Sequence, residues 1–244
     1  SIGFISAVLL LGEWFTRYEL SGFPWVVFGL FVLLWLTTWT LSDGVTRPGE
    51  QVSQTFSQIL LNPVTLSLLV VSFLIQFSHG TYYNFFSIDL ESHGYAKNTI
   101  AWLWALGVTA EIFVFFAMVY LFQNFSVRSL ILLSLGLTLL RWQLNIWGVE
   151  SLAVMMLAQT LHAASFGLYH AAALHLIDHL FNGPNRGRGQ AVYAATSQGL
   201  GGSLGALGAG LTWTLGGAML SYMASSLAVV LALLIAWRWL KPEA

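Results

Sequence analysis

Residues 101–115 read AWLWALGVTAEIFVF. One carboxylate, Glu111, sits in an apolar and aromatic run that extends from Ile100 to Phe122. At about 1.5 Å rise per residue this run makes a helix roughly 35 Å long, enough to cross a hydrocarbon core of about 30 Å. A helix satisfies its own backbone in lipid, so the costly feature is the acid. The stretch therefore reads as a membrane span that keeps an ionisable group where hydration is lost.

The rest of the chain agrees with that reading. Of its 244 residues, 57% are hydrophobic and 8% charged, against roughly 25% charged in a soluble domain. The mean hydropathy is +0.75. A net charge of −1 argues against nucleic acid as a partner, and the absence of cysteine excludes disulfides and thiolate metal sites. The chain begins with Ser1, directly in apolar sequence, with no basic n-region and no small-residue cleavage site. That reads as a chain whose N-terminal part is missing.

Long continuous apolar runs exclude the alternation of a β-barrel. They predict an all-α polytopic membrane protein with about eight spans. These cover residues 1–16, 23–42, 63–89, 99–123, 128–148, 151–180, 188–215 and 218–240. Arg47, Arg128, Arg186, Arg188, Arg238 and Lys241 fall on one side, Arg17 and Lys97 on the other. Basic residues favour the cytoplasm, which places the C-terminus there. The polar stretch SDGVTRPGEQVSQ (42–54) separates two early spans from six later ones. The expected domains are 1–42, a cytoplasmic linker at 43–62, and a six-helix bundle at 63–244. Six spans after such a linker is the plan of half a secondary transporter, in which two bundles flank a site at the bilayer midplane. On that plan four further helices precede Ser1.

Ionisable residues inside spans are candidate functional groups. The helix after Glu111 contains ILLSLGLTLLRWQL (131–144), with Arg141 about two turns from the depth of Glu111. Long side chains could close that gap directly or through water, giving a coupled charge pair or a structural one. The next span, residues 151–180, holds Gln159, His162, Phe166 and Tyr169 on one helical face. His170 lies about 80° around from His162. A histidine at the midplane can relay protons, or rest neutral against a hydroxyl or carbonyl. His175, Asp178 and His179 lie at the cytoplasmic end, and two of them have the i, i+4 spacing of metal ligands. The zinc-protease pattern needs Glu after the first His, and Leu176 stands there, so polar capping is the simpler reading.

In QFSHGTYYNFFSIDL (76–90), His79, Tyr82 and Phe86 recur at spacings of three and four, with Tyr83 and Asn84 beside them. An aromatic wall with few polar groups suits an aromatic or sugar ring; an interfacial aromatic belt is the alternative. GQAVYAATSQGLGGSLGALGAG (189–210) places Gly201, Gly205 and Gly208 on a small face for close helix packing. Gln190 and Tyr193 at its start could face a pathway.

These blocks also carry a resemblance. HGTYYNFFSIDLESHGY, WALGVTAEIFVFF, LRWQL, LHAASFGLYHAA and GRGQAVYAATSQGLGGSLG occur in order over most of residues 63–217. Together they resemble the phenylpropionate permease family of the major facilitator superfamily. SIGFI (1–5) looks like that family's fifth helix, so the chain would correspond to helices five to twelve. The resemblance implies a bacterial inner-membrane permease, a proton symporter for an aromatic acid or similar small solute. The family is also similar to lactose permease, in which an acid, an arginine and a histidine on three successive helices couple solute to protons. Glu111, Arg141 and His162 stand on those helices here. The acid expected one turn after the histidine is replaced by Ser165, which leaves Glu111 or His170 as proton acceptor. FQNFSVRS (122–129) keeps only Arg128 of the superfamily's charged loop, so no gating role is carried over to it.

The expectation is alternating access with Glu111, Arg141, His162 and His170 in proton coupling. His79, Tyr82, Tyr83, Phe86, Gln159 and Tyr169 would contact the solute. No cofactor is expected. The partners are a small solute, protons, lipid and the missing helices, with the protein acting as a monomer. Two other readings stay open here: an intramembrane metalloenzyme using His170, His175, Asp178 and His179, and a membrane scaffold without flux.

Overall fold

The structure, a computed structural model, describes residues 22–40 and 55–240. The chain divides into two units, Ser1–Glu50 and Gln51–Ala244, each considered by itself. The expected span at 1–16, residues 43–54 of the expected linker and the charges Arg17, Arg47 and Lys241 lie outside the described residues; the rest of that linker, 55–62, holds a short helix.

In the first unit, α1 (Phe23–Thr38) starts with proline in its first turn, where a missing N–H costs nothing. Trp25, Phe28, Phe31, Leu33 and Trp35 are all exposed on it. A helix apolar on every side is at home in lipid.

The second unit opens with a short helix, α2 (Phe56–Leu60), capped reciprocally by Thr55 and Gln58. Five further apolar segments follow. Helix α3 is Pro63–Ser92, started by Asn62 accepting from the Val64 N–H and by Pro63 in the first turn. Helices α4 (Lys97–Asn124) and α5 (Val127–Trp147) are separated by a turn at Phe125 and Ser126, and the Ser126 hydroxyl caps α5. Helix α6 (Leu152–Leu180) has a π-wound turn at Ala163–Leu168 inside it.

The last apolar segment, Gly183–Trp239, has 57 residues. As one rod it would be about 85 Å long, nearly three times the hydrocarbon core. It breaks at Gly216 (φ −158°, ψ 21°) and Gly217 (φ 62°, ψ −153°), the latter in the left-handed region that favours glycine. Beyond the break the chain folds back: the Thr212 and Ser221 hydroxyls meet at 2.9 Å. The segment is therefore two spans, α7 (186–215) and α8 (218–239), as the sequence predicts. A second π-wound turn lies in α7 at Ala195–Gly201.

Helix α3 is the most enclosed of these spans. It packs against α7 with almost no side chain between the backbones. A Cβ on Gly80 would stand 2.2 Å from the Gly205 carbonyl oxygen, and one on Gly205 would stand 2.5 Å from that of Phe77. Lipid tails are as apolar as the helices, so association rests on this close packing and on interhelical hydrogen bonds. Thr81 bonds Ser225 of α8 at 2.9 Å, and the Trp142 indole N–H of α5 donates to Ser78 at 3.3 Å. Phe113, Phe116, Val119 and Tyr120 of α4, and Leu204, Leu207, Leu211 and Leu215 of α7, are exposed on the outside of this unit.

The loops gather at two opposite ends. At one, Arg128 donates to the Trp237 carbonyl at 2.7 Å, and Arg188 lies 4.5 Å over Phe56, whose ring meets Phe181. At the other, near Lys97, the Tyr95 hydroxyl donates to the Val149 carbonyl at 2.7 Å.

Candidate functional site

Glu111 is buried on α4, and its partner is on α6: His162 Nε2 stands 2.8 Å from Glu111 Oε1. Gly107 and Gly167 allow this approach. A Cβ on Gly107 would come 3.1 Å from the Gln159 side chain and 3.5 Å from His162 Cβ; one on Gly167 would come 3.5 Å from the Glu111 side chain. The pair can shift a proton between carboxylate and imidazole without moving charge into lipid from outside.

The sequence allowed Glu111 a direct partner in Arg141. No ion pair joins these two among the described residues. Arg141 is completely buried, and its donors go elsewhere: Nε–H to the Ala158 carbonyl at 2.9 Å and Nη1–H to Ser165 Oγ at 3.0 Å. The guanidinium lies 3.9 Å over the Tyr82 ring. A cation over an aromatic face keeps part of the stabilisation that water would give. Its Nη2 has no hydrogen-bond partner, and neither has Gln159 Nε2.

The π-wound turn changes which residues of α6 align. Such a turn takes about one residue more than an α turn. Two turns here therefore need roughly eight residues rather than seven. His162 stacks on Phe166 at 5.6 Å and 9°, and Phe166 stacks on His170 at 5.8 Å and 2°. His170, expected about 80° off this line, stands in it. Tyr169, expected to share the His162 face, turns to α3 and bonds the Ser72 hydroxyl at 2.8 Å. Nothing in the residue spacing announces the extra residue.

A shallow cleft of about 10 Å³, room for about one water molecule, lies between α3, α6 and α7. Its lining includes Gln76 and His79 of α3, Phe166, Tyr169 and His170 of α6, and Tyr193 of α7. Ile75, Ser165, Ser197 and Gln198 complete it. Both π-wound turns contribute to this wall, Ser165 and Phe166 from one, Ser197 and Gln198 from the other. His170 Nδ1 is 3.1 Å from the Tyr193 hydroxyl. His79 Nδ1 is 2.8 Å from the Ile75 carbonyl, and its Nε2 has no partner.

Of the six residues expected to touch solute, His79 and Tyr169 line this cleft. Tyr82 and Phe86 do not. Both are fully buried against Trp104 of α4, at 4.7 and 5.5 Å, and the Trp104 indole is fixed by Ser87 at 3.0 Å. Gln159 is buried behind them and accepts from the Tyr82 hydroxyl at 2.9 Å. Tyr83 is exposed and stacks on His79 at 5.7 Å. Gln76, Ser197 and Gln198 escaped the sequence reading, because one amide and two polar residues in a glycine-rich helix look like packing.

The residues at the end of α6 are engaged locally. His175 stacks on Phe122 at 4.7 Å. Asp178 pairs with Arg186 and accepts from Gln190 at 2.7 Å, so Gln190 serves the helix end rather than a pathway. No group of three His, Cys, Asp or Glu side chains poised for a metal occurs among the described residues. The metalloenzyme reading therefore has no assembled site there.

Comparisons with known proteins agree with this architecture. The chain is 33% identical over 126 residues to the "Probable 3-phenylpropionic acid transporter" of Escherichia coli K12, a match covering 52% of this chain and 33% of that protein. It is 26% identical over 161 residues to the "Uncharacterized transporter YwbF" of Bacillus subtilis 168, covering 63% of this chain and 40% of that protein. The chain thus spans well under two thirds of either relative's length. No solved structure matches it. Residues 1–224 match the model of the MFS_1 like family. With its apolar helices, its two glycine-broken terminal spans and that match, the chain is a multi-pass membrane protein that belongs to the MFS_1 like family of major facilitator proteins.

Proposed function

We propose that this chain forms part of a secondary transporter that moves a small organic solute with protons across the bacterial inner membrane by alternating access. The observation that carries the reading is the buried Glu111–His162 contact at 2.8 Å inside a lipid-embedded bundle. An acid and an imidazole held that close, away from water, form a site that takes up and gives back one proton. The Arg141 charge, on α5 and bonded to Ser165 of α6, biases where that proton rests.

The solute is an aromatic acid or a comparably small ring compound. The printed name of the Escherichia coli relative concerns an aromatic acid. The chemistry of the cleft lining suits a ring solute, since Phe166, Tyr169 and Tyr193 offer ring faces and Gln76, Ser197 and Gln198 offer hydrogen bonds, and the cleft has to widen as the helices move to admit it. Alternating access then follows from rocking of helix bundles about this site.

The test is uptake of 3-phenylpropionate by the full-length protein in vesicles. Glu111→Gln is expected to lower accumulation against a gradient at least tenfold while leaving solute–solute exchange within about twofold, because exchange needs no net proton movement. Undiminished uphill accumulation in Glu111→Gln refutes the proton role.

A further inference from the structure

We infer that the cleft between α3, α6 and α7 is a hydroxyl-reading notch, in which His79 accepts a hydrogen bond from an O–H group on the solute. This deepens the transport reading and rests on it. The preferred solute is then an aromatic acid that carries a hydroxyl on its ring.

One nitrogen decides what the notch accepts. His79 Nδ1 stands 2.8 Å from the Ile75 carbonyl oxygen, which can only accept, so Nδ1 carries a hydrogen. No ion pair to His79 occurs among the described residues, and the ring is fully buried in the field of the Arg141 cation. An imidazolium would have no counter-charge there, so the ring is neutral. Nε2 then has a lone pair and no hydrogen, and it is buried without a partner. The ring is also held in place. Tyr83 stacks on it at 5.7 Å and Trp142 meets it edge-on at 5.0 Å.

The size of the notch points the same way. Room for about one water molecule is room for one oxygen. Gln76 and His79 are neighbours on one face of α3, and both line the notch. As the helices move and the notch opens, an oxygen entering it can donate to His79 Nε2 and accept from the Gln76 amide. Water does this, and so does a hydroxyl. An ionised carboxylate oxygen only accepts, and so do carbonyl and ether oxygens; each would set lone pair against lone pair. The acid group of the solute therefore lies outside the notch. Phe166, whose ring meets His79 at 6.4 Å, and Tyr169 offer faces to the solute's ring beside it. A hydroxyl displaces a water from such a place without loss of hydrogen bonds, and a bare ring cannot. A site built around a substrate hydroxyl discriminates against the analogue that lacks it.

Binding to the purified full-length protein, followed by calorimetry at one pH, tests this without any flux. The ligands are 3-phenylpropionate, its 3- and 4-hydroxyphenyl analogues and the matching methoxyphenyl compounds. Wild type is expected to bind the better hydroxyphenyl compound about fivefold or more tighter than 3-phenylpropionate, the net worth of one hydrogen bond. The methoxyphenyl compounds are expected to bind no tighter than 3-phenylpropionate. In His79→Phe, which keeps a ring between Tyr83 and Trp142, the hydroxylated and plain acids are expected to bind within about twofold of each other. His79→Gln puts an amide oxygen near the place of Nε2 and is expected to keep roughly a threefold preference. The notch is overturned if wild type shows no preference for the hydroxyl, or if folded His79→Phe keeps the preference in full. Failure of all these acids to bind overturns the aromatic-acid reading itself, whereas binding of 3-phenylpropionate with no hydroxyl preference overturns the notch alone.

Discussion

Arg141 is the side chain whose surroundings most constrain the site. Its guanidinium is planar, permanently charged and fully buried, and it bonds a carbonyl and a hydroxyl of α6 while lying over the Tyr82 ring. Lysine has the charge but not the fork. Arg141→Lys is expected to lose at least one of the two anchoring bonds and the planar stacking, at about 2–3 kcal/mol, a hydrogen bond to a charged group being worth roughly 1.5–3 kcal/mol. Thermal unfolding of the purified protein in detergent checks this; an unchanged transition would mean the guanidinium anchors nothing. At this scale the sequence was legible in part. Glu111, Arg141 and His162 stand out because a charge or imidazole in lipid is rare. Their pairing did not stand out, since depth along two helices does not say which way a side chain turns. Arg141 was a reasonable partner for Glu111 by depth, but its reach is taken by Ala158 and Ser165.

Two irregular turns and one glycine face set the helices. Helix α6 stays intact through its π-wound turn because α5 supplies what the turn leaves open. The Ser134 hydroxyl donates to the Ala164 carbonyl at 2.6 Å, and Ser165, which accepts from Arg141, donates to the His162 carbonyl at 3.2 Å. Spacing rules assume a uniform helix, so they placed Tyr169 in line with His162 and His170 beside it, the reverse of what is found. Span positions were legible because punctuation in the sequence is local: Asn62–Pro63, Ser126, Gly148 and Gly216–Gly217 all mark helix ends or breaks. The small face of α7 was legible too. Gly205→Ala adds a methyl 2.5 Å from the Phe77 carbonyl oxygen, so α3 and α7 must separate. A cost of about 1–3 kcal/mol is expected, as for overpacking in cores. Gly210→Ala, where a Cβ meets nothing within 4 Å, should be silent. Unfolding of the two variants in detergent compares them directly, and equal stability would remove the close-packing argument.

At the scale of the whole molecule, the basic residues near the loops gather at one end of the second unit. Arg128, Arg186, Arg188 and Arg238 lie by the α2 and α8 ends, while Lys97 begins α4 at the other. We propose the arginine-rich end as cytoplasmic. The chain has no cysteine, so single cysteines report without background. In intact cells a membrane-impermeant thiol reagent is expected to label Asn98→Cys and to spare Gly187→Cys until the membrane is opened; both positions are exposed. The opposite pattern would invert the topology.

The most direct measurement of the central claim, that the Glu111–His162 pair carries the transported proton, is made with a pH electrode. Lightly buffered vesicles holding the full-length protein, without an imposed gradient, receive a pulse of 3-phenylpropionate. Wild-type vesicles are predicted to make the medium alkaline as solute enters, and Glu111→Gln vesicles to show no pH change although they still exchange solute. An alkaline shift of wild-type size in Glu111→Gln would contradict the account.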